Sequence, residues 1–345
     1  MRTVGIAATA FFLVLAIGGS ARGAEPPQLK LLEVNKIWDA APHNAFTGLI
    51  YFKDRWFCAF REGKAHVSPD GALRVITSVD GTKWESAALI RSDLGDLRDA
   101  KLTLTPAGKL MLAGAVAVHQ PSPVRHKSLV WFSDDGKSWS DAKVVGDDNY
   151  WLWRVTFTGD NGYGIGYRTV APRSARLYVT KDNGQSFETL VPKLEPTGWA
   201  GEHDISFARD GTATCLLRRD PPPKAEAEGL DAAAKAGHAV VGTAKPPYSE
   251  WVWKDLGVRV GGPALVRLHD GRLLAVVRLY DKKARTSICQ LDAENGKLTE
   301  LLPLPSGGDT SYAGIVVQEC VLWISYYSSH EGKTSIYLAK VDAAK

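Results

Sequence analysis

Ser78-Val79-Asp80-Gly81-Thr82-Lys83-Trp84, Ser133-Asp134-Asp135-Gly136-Lys137-Ser138-Trp139 and Thr180-Lys181-Asp182-Asn183-Gly184-Gln185-Ser186-Phe187 are three versions of one turn. Each follows a short apolar run and leads into another. In such a hairpin the Asp carboxylate can accept backbone N–H bonds from its own turn, and the Gly tolerates a positive φ. The closing aromatic is then placed to fill an apolar niche between neighbouring sheets. The third copy carries one residue more than the other two. Three copies, with their Asp residues 55 and 47 positions apart, point to a repeat architecture.

Counting strand-like runs outward from these turns extends the repeat along the chain. Units open near Ala45, Arg98, Trp151, His203, Gly262 and Tyr312, at intervals of 53, 53, 52, 59 and 50 residues. The first unit reads as strands over residues 46–52, 56–60, 73–77 and 84–90, and the second over 101–105, 110–117, 128–132 and 139–145. The sixth offers only 312–317, 321–327 and 334–340 before the chain ends, so residues 31–38 are expected to supply its missing fourth strand. The expected fold is all-β, a six-bladed β-propeller over residues 24–345 closed by an N-terminal strand. Closure leaves no long unpaired sheet edge. Unit four carries an insertion over residues 221–237, three prolines and then an alanine-rich stretch, read as a loop with a short helix. It serves either as a lid or as a surface excursion.

The chain has 345 residues, 45% of them apolar and 23% charged, enough to bury a sizeable core. Residues 1–23 read as a secretory signal: Arg2, an apolar stretch over 4–18, and Ala21-Arg22-Gly23 as a small-x-small cleavage site. That stretch is short for a transmembrane span. The mature protein is therefore expected to be exported, to the periplasm or the medium, without stable membrane insertion. Its removal deletes two arginines and no acids, lowering the formal charge from +4 to +2. So balanced a charge argues against nucleic acid as a partner. Cys58, Cys215, Cys289 and Cys320 sit singly in apolar runs without C-x-x-C spacing, which reads as core cysteine rather than zinc ligation. No metal-ligand spacing and no phosphate-cradling glycine loop stands out, so neither metal nor cofactor is expected.

In a propeller the starts of the first strands and the ends of the second strands emerge on one face, and the Asp-Gly turns on the other. The starts carry His43-Asn44, Asp96, Arg98-Asp99, Trp151, Trp153-Arg154, Glu202-His203-Asp204, Gly261-Gly262 and Asp309 to Tyr312. The ends carry Arg61-Glu62, His119-Gln120, Arg168, Arg218-Arg219-Asp220, Arg278 and Tyr327 to Glu331. Arginines converging on one pocket suit an anionic guest, because the guanidinium binds a carboxylate through two parallel hydrogen bonds. Tyr, Glu, Asp and His beside them are the parts of glycosidic-bond cleavage. Trp151 and Trp153 are placed either to stack on sugar faces or to fill the core.

On these residues the chain resembles the sialidase superfamily, the neuraminidase-like propellers with Asp-box (BNR) repeats. Glu202 and Arg218 look like the family's Glu and following Arg, Arg278 and Tyr312 like its later Arg and Tyr, and Arg61 like the Arg ending the second strand of blade one. The resemblance implies a retaining hydrolase that removes a terminal sialic acid or related acidic sugar from a glycan. Tyr312 would be its nucleophile and Glu202 the base for Tyr312. Where sialidases carry Phe-Arg-Ile-Pro, this chain reads Phe46-Thr47-Gly48-Leu49, so one arginine of the expected triad is absent; Arg98 or Arg154 stands in reserve. For the acid/base, Asp99 and His66 rank together, with Asp70 behind them in a turn-like Asp-Gly. The alternatives are a non-catalytic carbohydrate-binding propeller and, behind it, an interaction scaffold. Oligomeric state stays open.

Overall fold

The computed structural model describes residues 29–195 and 198–343, so the expected export signal lies outside the described residues. Among these no helix is long and apolar enough to cross a membrane. Six antiparallel sheets, five of four strands and one of five, follow one another in chain order as the blades of a β-propeller. The innermost strands are His43–Phe52, Gly95–Leu104, Trp199–Phe207, Val260–Arg267 and Thr310–Gln318; in blade three the inner strand is broken into Tyr150–Leu152 and Thr156–Thr158. The ring closes as expected. Lys30–Trp38 pairs antiparallel with Ser335–Asp342 and becomes the outer strand of the last blade.

The turn chemistry read from the sequence is what the backbone does. Asp80 Oδ1 accepts Thr82 N at 2.8 Å and Lys83 N at 3.1 Å, while Ser78 Oγ accepts Gly81 N at 2.8 Å. Asp135 and Ser133 repeat this with Lys137, Ser138 and Gly136, each at 2.8 Å. Trp84 and Trp139 return their indole N–H to the carbonyls of Gly81 and Gly136. The glycines do more than permit φ of +74° and +72°. A Cβ would fall 2.3 Å from Trp323 at Gly81 and 2.3 Å from Phe57 at Gly136, each on the preceding blade. The turn is therefore also a blade-to-blade contact. Cys58, Cys215 and Cys289 are buried free thiols, as expected, but Cys320 is exposed.

Each of the five unbroken inner strands slips register once, between Ala45 and Gly48, Arg98 and Lys101, Ala200 and His203, Gly261 and Ala264, and Ser311 and Gly314. Four residues within these slips have positive φ: Phe46 at 66°, Asp99 at 58°, Gly262 at 54° and Tyr312 at 55°. A bulge bends a strand and re-aims the side chains at the extra residues. Repeated at equivalent places, the bulges turn Phe46, Asp99, Glu202 and Tyr312 out of simple alternation and towards one another.

Beneath them, buried polar side chains tie blade to blade. Lys101 Nζ donates to the Thr47 carbonyl at 2.8 Å, and Thr47 Oγ1 donates to the carbonyls of Tyr312 and Ser325. Arg154 pairs with Asp204 at 2.7 Å and reaches the Ala313 carbonyl at 3.1 Å. The same Asp204 oxygen accepts Leu265 N at 2.8 Å, and His203 Nε2 accepts Ile165 N at 3.0 Å.

Candidate active site

Tyr312 and Glu202, 110 residues apart in sequence, meet on the face carrying the strand starts: the phenol donates to Glu202 Oε1 at 2.6 Å. Arg218 Nη1 donates to the same carboxylate oxygen at 2.6 Å and to the phenol oxygen at 2.8 Å. The backbone N–H of Gly262 donates to Glu202 Oε2 at 2.8 Å. Tyr312 and Glu202 are 7% and 9% exposed, so this triangle works in a low-dielectric setting. A cavity of about 220 Å³ opens beside Glu202 between Tyr167, Arg173, Trp199 and Asp220.

Charge in the triangle is distributed for proton transfer. Burial acts to raise the Glu202 pKa, but the Arg218 charge and the hydrogen bonds from Arg218, Tyr312 and Gly262 outweigh it, holding the carboxyl below its ordinary range. Burial, and then the Glu202 charge, push the Tyr312 phenol well up, against the pull of Arg218 and Arg278. At rest the pair is a neutral phenol and an ionised carboxylate. Around the phenol stand Phe46 at 5.0 Å and Trp153 at 5.7 Å between ring centroids, with the Arg278 guanidinium 5.3 Å and the Lys101 ammonium 5.9 Å from the ring.

The arginines divide into two groups. Arg218 and Arg278 flank Tyr312, each already engaged with acids: Arg218 with Glu202 and Asp220, Arg278 with Asp309 at 2.9 Å. Arg98 lies across Phe46 and Trp151, carries only a loose 3.9 Å ion pair to Asp96, and its Nε has no hydrogen-bond partner among the described residues. Arg61 and Arg154 are different. Arg61, expected to face the guest, is fully buried: it donates to Asp96 at 2.8 Å and braces the following loop through the Ala65 carbonyl and Ser68. Its place in the strand turns it into the joint with blade two. Arg154 is spent on Asp204 and Ala313 in the floor.

Asp99 is buried on its bulge, and burial, outweighing Arg98 and Lys101, raises its carboxyl pKa. His66 stands half-exposed at the rim with Nδ1 2.7 Å from Asp309. Asp70 accepts its own loop's Lys64 N–H, as a turn residue does. His203 and Asp204 bond to neighbouring blades rather than to Glu202. Trp151 and Trp153, 7% and 2% exposed, are core residues. The insertion forms a short 3-10 helix, Lys224–Glu226, and one helical turn, Ala232–Ala236; Glu226 takes the indole N–H of Trp199.

Lys101 was not singled out from the sequence, and Asp309 stood there only among the strand starts, without a role. Lys101 sits within an apolar strand run, yet burial, and then Arg154, hold its ammonium pKa down, opposed by Asp99. A lysine two residues past a strand opening of Arg-Asp is the only local signal it leaves.

No protein-family model matches the chain, and no curated protein matches it. Solved structures do. A protein of unknown function from Dyadobacter fermentans is 18% identical, with a TM-score of 0.78 over 92% of this chain and 100% of its own. An α-L-arabinofuranosidase from Fusarium graminearum is 12% identical, with a TM-score of 0.69 over 90% of this chain and 98% of its own. A sialidase from Trypanosoma rangeli is 10% identical, with a TM-score of 0.62 over 87% of this chain and 55% of its own. At such identities the likeness shows the fold, a six-bladed propeller of the kind these glycoside hydrolases use.

Proposed function

We propose that the protein is an exported, retaining glycoside hydrolase that uses Tyr312 as nucleophile and removes a terminal acidic sugar, of sialic-acid type, from a glycan. The observation that carries this is the buried contact of Tyr312 with Glu202, with Arg218 donating to both. A phenol is a poor nucleophile until its proton leaves, and Glu202 is ionised and within reach of that proton. In the first half-reaction Tyr312 Oη bonds to the anomeric carbon as the glycosidic C–O bond breaks. The phenolic proton passes to Glu202, and the departing oxygen takes one from an acid at the rim. In the second half, water attacks the anomeric carbon, yields its proton to that same rim group, and Tyr312 leaves and recovers its proton from Glu202.

The acidic glycon is supported by Arg218 and Arg278 at the phenol, by Arg98 across the neighbouring Phe46 ring, and by the logic of a neutral nucleophile for an anomeric carbon bearing a carboxylate. A neutral glycon is favoured by the ion pairs that already hold Arg218 and Arg278, and, on the resemblance to sialidases, by Thr47 standing at the place of their arginine.

The test is a panel of aryl glycosides with sialic acid, uronic acid and arabinofuranose as glycons. Turnover of the acidic members by wild type, with a loss of about 10³-fold or more in Tyr312→Phe, is expected. Turnover confined to arabinofuranosides keeps the hydrolase and overturns the acidic sugar. Equal activity of Tyr312→Phe and wild type overturns the nucleophile.

A further inference from the structure

A second polar cluster lies on the same face. Asp309 Oδ2 faces two imidazoles, His66 Nδ1 at 2.7 Å and His43 Nε2 at 3.1 Å. Its other oxygen accepts Arg278 Nη2 at 2.9 Å and the Tyr327 phenol at 2.7 Å. Burial alone would raise the Asp309 pKa, but hydrogen bonds from His43, His66 and Tyr327 and the Arg278 charge hold it far below the carboxylate range. An ionised carboxylate only accepts hydrogen bonds, so each imidazole must present an N–H to it. For His66 this puts the hydrogen on Nδ1 and leaves Nε2 to exchange protons, the arrangement by which a carboxylate sets the tautomer of a working histidine. The His66 side chain is 48% exposed. Its ring meets Phe46 edge-on at 5.2 Å, and Phe46 meets Tyr312 at 5.0 Å, so it stands at the rim of the cleft whose floor is Tyr312.

We infer that His66 is the group that protonates the departing glycosidic oxygen and then deprotonates the incoming water, with Asp309 as its positioning residue. The inference rests on the hydrolase reading above. Exposure separates His66 from Asp99. The acid/base must face both the leaving group and the water that replaces it, and Asp99, 4% exposed, sits in the floor. The three side chains also have their ligand atoms within 4.8 Å of one another, close enough to hold a metal ion. Two features oppose that. A metal-bound imidazole is normally fixed through its second nitrogen, yet His43 Nδ1 is buried without a hydrogen-bond partner among the described residues. The Arg278 guanidinium on the same carboxylate repels a dication.

The experiment compares wild type, His66→Ala, His66→Gln, Asp309→Asn and Asp99→Asn on one glycon carrying either a nitrophenyl or an alkyl leaving group. His66→Ala is expected to lose about 10²–10⁴-fold in kcat/KM on the alkyl glycoside. On the nitrophenyl glycoside, which departs without a proton, the loss is expected to stay below about 10-fold, with azide restoring turnover as glycosyl azide. Asp309→Asn is expected to lose activity on the alkyl glycoside and to keep it on the nitrophenyl one, by a smaller factor than His66→Ala, because Asp309 acts only through His66 Nδ1. Equal losses on both leaving groups, no loss, or leaving-group dependence in Asp99→Asn instead would overturn the assignment. So would activity abolished by a chelator and restored by Zn²⁺. If Tyr312→Phe is inert while His66→Ala keeps full activity on the alkyl glycoside, only this inference falls. A wild type inert on every glycoside removes both readings.

Discussion

Tyr312 and Glu202 share one proton and one arginine, so neither is expected to act alone. Glu202→Gln should lose as much turnover as Tyr312→Phe, and the double variant should fall no further than the worse single one, the mark of groups that work as a unit. Single-turnover kinetics on the preferred aryl glycoside would check this; additive losses would mean separate roles. Thr47 is a bracing residue beneath the phenol. Its hydroxyl, fully buried, binds the carbonyls of Tyr312 and Ser325, and its own carbonyl takes the Lys101 ammonium. Thr47→Val removes the one O–H that those two carbonyls share and should cost about 1–3 kcal/mol in denaturant unfolding. No loss would show that the bulge is held by packing alone.

At the scale of the element, two devices recur: the Asp-Gly turn and the bulged inner strand. The turn glycine is irreplaceable on two counts, backbone and neighbour. Gly136→Ala should cost about 1–3 kcal/mol from overpacking against Phe57, with strain at φ +72° added. Phe57→Leu in the same chain should recover part of that loss and leave the strain; thermal melts of the single and double variants separate the two. His203 joins blade three to blade four by accepting Ile165 N–H, which requires a neutral imidazole. Burial, with Arg154 behind it, lowers its pKa to about 3. An unfolded histidine protonates near pH 6.5. Between these values the unfolded chain holds the extra proton, so stability is full above about pH 6.5 and drains as pH falls towards 3, at about 1.4 kcal/mol per pH unit for one such proton. His126, lowered to about 4 chiefly by burial, adds to the same slope. His203→Gln should flatten the pH dependence of stability in this window, read from urea midpoints; an unchanged slope would assign it to other groups.

For the molecule as a whole, ring closure is the central fact. Lys30–Trp38 completes the last blade, and Trp38 donates its indole N–H to Glu62 on the first, so the strand joins the two ends of the ring. A chain begun at residue 39 exposes Ser335–Asp342 as an edge strand and should aggregate or swap strands, seen as large species in size-exclusion chromatography. A monodisperse, fully folded truncation would show that the blade contacts suffice without closure. The buried ties around the centre, Lys101 to Thr47, Arg154 to Asp204 and Ala313, and Asp204 to Leu265, also make the floor of the cleft a property of several blades at once.

The linear chain by itself determined the turns, the six repeating units, the closure by residues near 31–38, and the face on which the strand tips gather. These follow from short-range chemistry: an Asp-Gly turn hydrogen-bonds to itself, strands alternate with period two, and hairpins send their ends the same way. The grouping of Tyr312, Glu202, Arg218 and Arg278 was legible through resemblance to a family. The tertiary structure alone decided that Arg61 and Arg154 are braces, that Lys101 lies under the phenol, and that Asp309 reaches His66 across 243 residues. Where a strand-tip side chain points depends on which residue a bulge leaves unpaired, and whether an arginine meets a guest or a carboxylate depends on the neighbouring blade. Both are long-range matters that no local pattern encodes.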